Sequence, residues 1–132
     1  MILDIKIFKF IFNIIIMSVL IIGSSGFVGS HLKDGLIGEG INVLQSSSSE
    51  KNGFIKLDIT NKEDFDHILR DIEVIFNLGA FIPLEDNINN AEKCMNVNSN
   101  GILNILEFCR KRDIKLINSS SASVYGTLIK MI

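Results

Sequence analysis

Three glycines carry the most chemical information in this chain. Gly23, Gly26 and Gly29 follow at three-residue steps in SVLIIGSSGFVGSHL, residues 18–32. An apolar run, Val19 to Ile22, precedes them, and a helical pattern begins directly afterwards. A strand, a glycine turn and a helix N-terminus in this order suit an anionic pyrophosphate. The first glycine permits a tight turn with positive φ. The second lets the backbone approach the phosphates, and the third lets the helix pack closely on its strand. The free N–H groups and the positive dipole end of the helix then face the anion. A nucleoside-triphosphate P-loop is excluded, because no Gly-Lys followed by Ser or Thr is present. Asp58, Gly79-Ala80 and Ser119-Ser120-Ser121 are further polar or flexible positions, each at the end of an apolar run.

The elements that must position these residues alternate along the chain. Val28, Leu32 and Leu36 fall on one face of a first helix, which Gly38 and Gly40 end. Ile41–Leu44 reads as a second strand, followed by a polar loop of Ser46–Ser49, Glu50 and Lys51. Phe54, Ile55 and Leu57 make a third strand that ends at Asp58. Thr60 and Glu63 form a capping box for a helix whose apolar face is Phe65, Ile68 and Leu69. Val74–Leu78 is a fourth strand. A long helix over residues 90–112 turns Val97, Ile102, Ile105, Leu106 and Cys109 inward, and Ile114–Ile117 is a fifth strand. Continuous apolar strands alternating with helices predict an α/β fold: a doubly wound parallel sheet of about five strands. Its binding crevice lies at the C-terminal strand ends.

Composition narrows the function classes. With 132 residues, 47% hydrophobic and 21% charged, the chain forms one domain with a real core. A net charge of −2 and no basic stripe argue against nucleic acid as a partner. Cys94 and Cys109 form no CxxC, and they read as reduced structural thiols with no metal role. His31 and His67 are isolated, and both read as structural. Residues 2–16, ILDIKIFKFIFNIII, are apolar and merge with the first strand. A spanning helix needs about 20 apolar residues, a length this run reaches only by consuming that strand. The preferred reading is an extension over 1–16 ahead of a cytoplasmic domain beginning at Met17; a membrane anchor is the alternative.

Five segments together resemble a known family. They are GSSGFVG at 23–29, LDIT at 57–60, FNLGA at 76–80, NSNGILNILE at 98–107 and SSSASVYG at 119–126. In this order they resemble the extended short-chain dehydrogenases/reductases, the branch of NAD(P)-dependent sugar-nucleotide epimerases and dehydratases with a Rossmann-type sheet. The resemblance spans residues 17–126 and leaves 127–132 as a short tail outside it. It implies that Phe27 and Val28 line the pyrophosphate beside the glycines. Asp58 would accept from the adenine amino group, with the Ile59 backbone beside it. Leu78, Gly79 and Ala80 would run along the nicotinamide-side ribose. Asn98 would steady the floor of the site, and Ser121 would be the catalytic serine that polarises the substrate. Residue by residue, plainer readings stand beside these: a strand-end aspartate, an ordinary helical asparagine and a polar strand terminus.

Two departures from the family pattern bear on function. The second strand usually ends in an acidic residue that holds the ribose of NAD, whereas here the region reads Gln45-Ser46-Ser47-Ser48, with Lys51 beyond it. Ser47 accepts either ribose, so NAD and NADP both stay open, and NAD is the expected cofactor only because the family resemblance implies it. Secondly, the sequence holds no Tyr-x-x-x-Lys, the family's acid/base pair, and Tyr125 does not stand in for it. The expectation is therefore the N-terminal, cofactor-binding part of an enzyme acting on nucleotide sugars. It would be truncated before the substrate domain and have little activity alone. Its partners would be the dinucleotide, a nucleotide sugar in the intact family, and a second copy or a missing C-terminal half. The second reading is a non-catalytic NAD(P)-binding sensor; the SSSASVYG segment favours the catalytic branch.

Overall fold

The computed structural model describes residues 18–83 and 88–125 of the chain. The extension over 1–16, Met17 and the tail from Gly126 onwards lie outside the described residues. Strand β1, Ser18–Ile22, has all five residues buried, as its unbroken apolar sequence requires of a strand covered on both faces. The chain then forms α1 (Phe27–Gly38), β2 (Asn42–Ser47), β3 (Ile55–Lys56) and α2 (Lys62–Asp66). It continues through β4 (Val74–Asn77), α3 (Ile88–Met95), a π-helical turn (Asn96–Asn100), α4 (Gly101–Arg112) and β5 (Lys115–Asn118). A single 3-10 turn, Ala122–Tyr125, follows.

All five strands are parallel, in the order β3-β2-β1-β4-β5. The chain moves outward from β1 on one side and then crosses to β4 on the other. The strand order therefore reverses between β1 and β4, and both leave the sheet at the same edge. Such a switch point opens a crevice, because the connections leave in opposite directions. The doubly wound reading of the sequence holds.

The core lies mainly on one face of the sheet. Leu20 and Ile22 of β1 and Ile75 of β4 pack with Phe65, Ile68 and Ile72 around α2, and with Ile105, Phe108 and Cys109 of α4. Each such side chain contributes about 1.5–3 kcal/mol by leaving water. Helix α1 packs on β1 and β2 on the opposite face. Strand β5 is less covered: Leu116 joins the core, whereas Ile117 is 44% exposed. Among the described residues no helix is long and apolar enough to cross a membrane.

Several local expectations are corrected. Strand β2 extends through Ser47, because Ser46 and Ser47 pair with Ile55 and Lys56 of β3. Strand β3 is only two residues long, although Leu57 N–H still donates to Ser47 O at 2.8 Å. The N-cap of α2 is Asn61, whose Oδ1 accepts from Glu63 N–H, and Thr60 forms no capping box. Thr60 is drawn backwards instead, its N–H and hydroxyl both donating to Asp58 Oδ1. Because α2 stops at Asp66, Leu69 falls beyond it and is 87% exposed. In α4 Leu106 points outward and Phe108 inward, because the buried face of the helix runs through Gly101, Asn104, Ile105, Phe108 and Cys109.

Candidate functional site

The glycine turn is built from backbone approaches that leave no room for side chains. Gly23 has φ +83°, and a Cβ added there would lie 2.8 Å from Gly79 N. A Cβ on Gly29 would lie 2.2 Å from Gly23 O. Gly26 N–H donates to Gly23 O at 3.1 Å, so the turn folds back on itself and rests on the end of β4. Helix α1 starts from Gly26 with no side-chain cap and no acidic residue in its first turn. Among the described residues no side-chain cap or first-turn carboxylate compensates its free N–H groups and positive dipole end. Ser24 Oγ is buried in the turn and has no hydrogen-bond partner among the described residues.

A cleft of about 510 Å³ opens beside this turn, within the range of small-molecule sites. Its walls are Ile22, Gly23 and Ser25 after β1, Ser46–Ser48, Lys51 and Phe54 after β2, and Leu57–Thr60 after β3. Gly79–Phe81 after β4 and Lys93, Asn96 and Val97 from the long helix complete it. Of the residues singled out in the sequence, Gly23, Ser47, Asp58, Ile59, Gly79 and Ala80 come together here. Gly26, Gly29 and Leu78 frame the turn, Leu78 N–H donating to Ile22 O at 2.9 Å. Phe27 and Val28 do not line the cleft; they are 82% and 62% exposed at the open end of α1, which also corrects Val28 as a sheet-facing position. The Phe27 carbonyl accepts from the His31 ring at 2.8 Å, a local role for that histidine. Ser121 is exposed beyond β5 and lies outside the lining of the cleft.

Each wall has its own anchor. Asn98, in the π turn, clamps Phe81 from both sides: Phe81 N–H donates to Asn98 Oδ1 and Asn98 Nδ2 donates to Phe81 O, both at 2.8 Å. Buried Asn77 accepts from Gly79 N–H and donates to Asn118, tying the ends of β4 and β5. Asn104 donates to Ile59 O at 2.8 Å, and Gly101 presses against the Ile59 side chain where a Cβ would clash. Asp64 is the buried centre of the third wall. Its carboxylate accepts from Asp58 N–H (2.8 Å), Asn61 Nδ2 (2.9 Å) and Lys56 Nζ (2.9 Å). The Asp58 N–H, followed by the Lys56 ammonium, holds the Asp64 carboxyl below the usual carboxylate range. Sequence reading gave no role to Asn77, Asn104 or Asp64: the first two lie inside the FNLGA and NSNGILNILE segments but bond to Asn118 and to Ile59, 41 and 45 residues away, and Asp64 lies in no quoted segment.

Two cations face the cleft. Lys51 Nζ stands 4.2 Å from the centre of the Phe54 ring, and Lys93 Nζ stands 4.4 Å from that of Phe81. Among the described residues neither is in an ion pair, and no cluster of His, Cys, Asp or Glu is placed to hold a metal. Cys109 is buried in the core, and desolvation pushes its thiol pKa up. A Cβ-free cradle at an uncapped helix N-terminus, opening into a cleft with two lysines, fits a dinucleotide.

Fold and cleft define a dinucleotide-binding α/β domain of the Rossmann type. The model of the NAD dependent epimerase/dehydratase family matches residues 19–131, and the chain belongs to that family. A putative UDP-glucose 4-epimerase of Methanocaldococcus jannaschii is 32% identical over 120 residues, covering 82% of this chain and 39% of that protein. Protein CapI of Staphylococcus aureus is 34% identical over 131 residues, covering 83% and 39%. Among solved structures, the UDP-glucose 4-epimerase of Thermotoga maritima with UDP-glucose superposes with a TM-score of 0.74 at 29% identity, covering 88% of this chain and 42% of that one. The Thermus thermophilus UDP-glucose 4-epimerase in complex with NAD gives a TM-score of 0.66 at 26% identity, covering 76% and 36%. The chain thus spans about two-fifths of the length of the relatives it matches.

Proposed function

We propose that this chain is the cofactor-holding portion of an NAD-dependent epimerase/dehydratase acting on nucleotide sugars. The carrying observation is the cleft where the ends of β1 to β4 converge on the glycine turn. In this reading the backbone around Gly23, Gly26 and Gly29 receives the pyrophosphate at the N-terminus of α1. Asp58 and the Ile59 backbone receive the adenine, with Ser47 at the adjoining ribose. Gly79 and Ala80, held by Asn77 and the Asn98 clamp, border the ribose on the nicotinamide side. When bound, the cofactor supplies a hydride acceptor and donor. The protein orients it and keeps the β4 wall fixed. Ser121, just past β5, is the residue we assign to polarising the substrate oxygen. The nucleotide-sugar substrate class is supported by the UDP-sugar relatives.

Hydride transfer needs an acid/base within hydrogen-bond reach of the reacting oxygen. The single tyrosine, Tyr125, is followed at the fourth position by Ile129 and not by lysine. The 132-residue chain is therefore expected to bind cofactor with little turnover of UDP-glucose. Calorimetric titration with NAD tests the first statement, and a coupled epimerase assay tests the second. No heat of binding with NAD or NADP removes the reading; NAD-dependent epimerisation by this chain alone removes the statement on turnover.

A further inference from the structure

The adenosine end of the cleft has an unusual polarity for a site that accepts ribose hydroxyls. Strand β2 ends in hydroxyls, with Ser46, Ser47 and Ser48 all on the cleft wall. A carboxylate at this strand end accepts from both ribose hydroxyls of NAD and repels a phosphate placed there. Among the described residues no carboxylate stands there. Glu50, on the same loop, lines an adjoining hollow instead of the cleft. Asp58, the one acidic residue of the lining, has Oδ1 occupied by the Thr60 N–H and hydroxyl.

A cation is present instead. The Lys51 ammonium lies on the cleft wall over the Phe54 ring, 4.2 Å from its centre, and no ion pair neutralises it among the described residues. The ring orients the charge and leaves its donors available. Ser47 Oγ accepts from Ser49 N–H at 3.3 Å and lies 3.4 Å from Ser49 Oγ, a contact in which either hydroxyl can donate. Two hydroxyl donors and a free ammonium on one loop match a phosphate monoester better than a pair of neutral hydroxyls.

We propose that the β2 end of this cleft receives a 2′-phosphorylated ribose, with Ser47, Ser48 and Lys51 as its partners, so that NADP binds in preference to NAD. The proposal rests on the reading of the cleft as a dinucleotide site. Parallel calorimetric titrations of the full chain with NADP and NAD test it. NADP should bind at least about tenfold tighter, and the advantage should shrink as salt screens the phosphate–lysine attraction. Ser47→Asp should reverse the order of the two affinities. Lys51→Met should lower the NADP/NAD affinity ratio about tenfold, in keeping with the loss of one charge-assisted contact. A variant that only disturbs folding weakens both cofactors and leaves the ratio unchanged. NAD binding equal to or tighter than NADP binding overturns the proposal and leaves the dinucleotide reading standing. An unchanged ratio in both variants overturns the assignment of these residues. Binding of neither cofactor removes the dinucleotide reading and this proposal together.

Discussion

Gly29 tolerates the least change of any residue in the turn. Its hydrogen faces the Gly23 carbonyl, and an alanine methyl there would sit 2.2 Å from that oxygen. Backbone atoms on both sides have nowhere to go. Gly29→Ala is therefore expected to cost about 3 kcal/mol in stability and to abolish cofactor binding, measured by urea unfolding and calorimetry. Asn98 acts at the same scale on the opposite wall. Asn98→Ala removes both bonds to the Phe81 backbone. Leaving that N–H and carbonyl unpaired should cost about 2 kcal/mol and speed amide exchange at Phe81. The two residues differ in how visible they are in the sequence. The glycine spacing announces itself within seven residues, because turn, approach and packing are all local. The partner of Asn98 is 17 residues away, and only the family resemblance drew attention to that asparagine.

At the scale of elements, the loop between β3 and α2 depends on one carboxylate. Asp64 binds Lys56, Asp58 and Asn61 at once, so it fixes the wall that carries Asp58. Its folded-state pKa is depressed, first by the Asp58 N–H and then by Lys56. The stabilisation is fully present above the ordinary carboxylate pKa of about 4, and it is lost as pH falls through the lower folded-state value. Asp64→Asn should cost about 1–2 kcal/mol near neutrality, and the gap to the unmutated chain should narrow in acid. Urea titrations at neutral and acidic pH check both statements. The strand-helix alternation was readable here, but the cap was not. Thr60 has the right type for a capping box, yet Asp58 competes for its hydroxyl and Asn61 takes the role. The inward face of the long helix was misread at Leu106 for a different reason. A stripe through Ile102, Ile105 and Cys109 takes in Leu106 at its margin, whereas the buried face turns to the other side and runs through Asn104, Ile105, Phe108 and Cys109.

At the scale of the whole molecule, the sheet is unevenly covered. Strand β5 is the last in the order, and its Ile117, in register with Phe76, is half open to solvent. An edge strand that exposes an isoleucine beside its unpaired backbone invites pairing with another chain. The 132-residue chain should self-associate as its concentration rises, and Ile117→Lys should suppress this in light scattering. The cleft has the opposite character, since its four walls come from strand ends far apart in sequence. Strand β3, two residues long, is the weakest of their supports. A cofactor touching all four walls would tie together strand ends that are far apart in sequence. Its binding energy thereby becomes folding energy, about 2.7 kcal/mol at a hundredfold excess over Kd. Saturation should protect the amides flanking β3 more than those of β1. The dinucleotide is then a structural fastener as well as a ligand, and its removal should lower the urea midpoint of the chain.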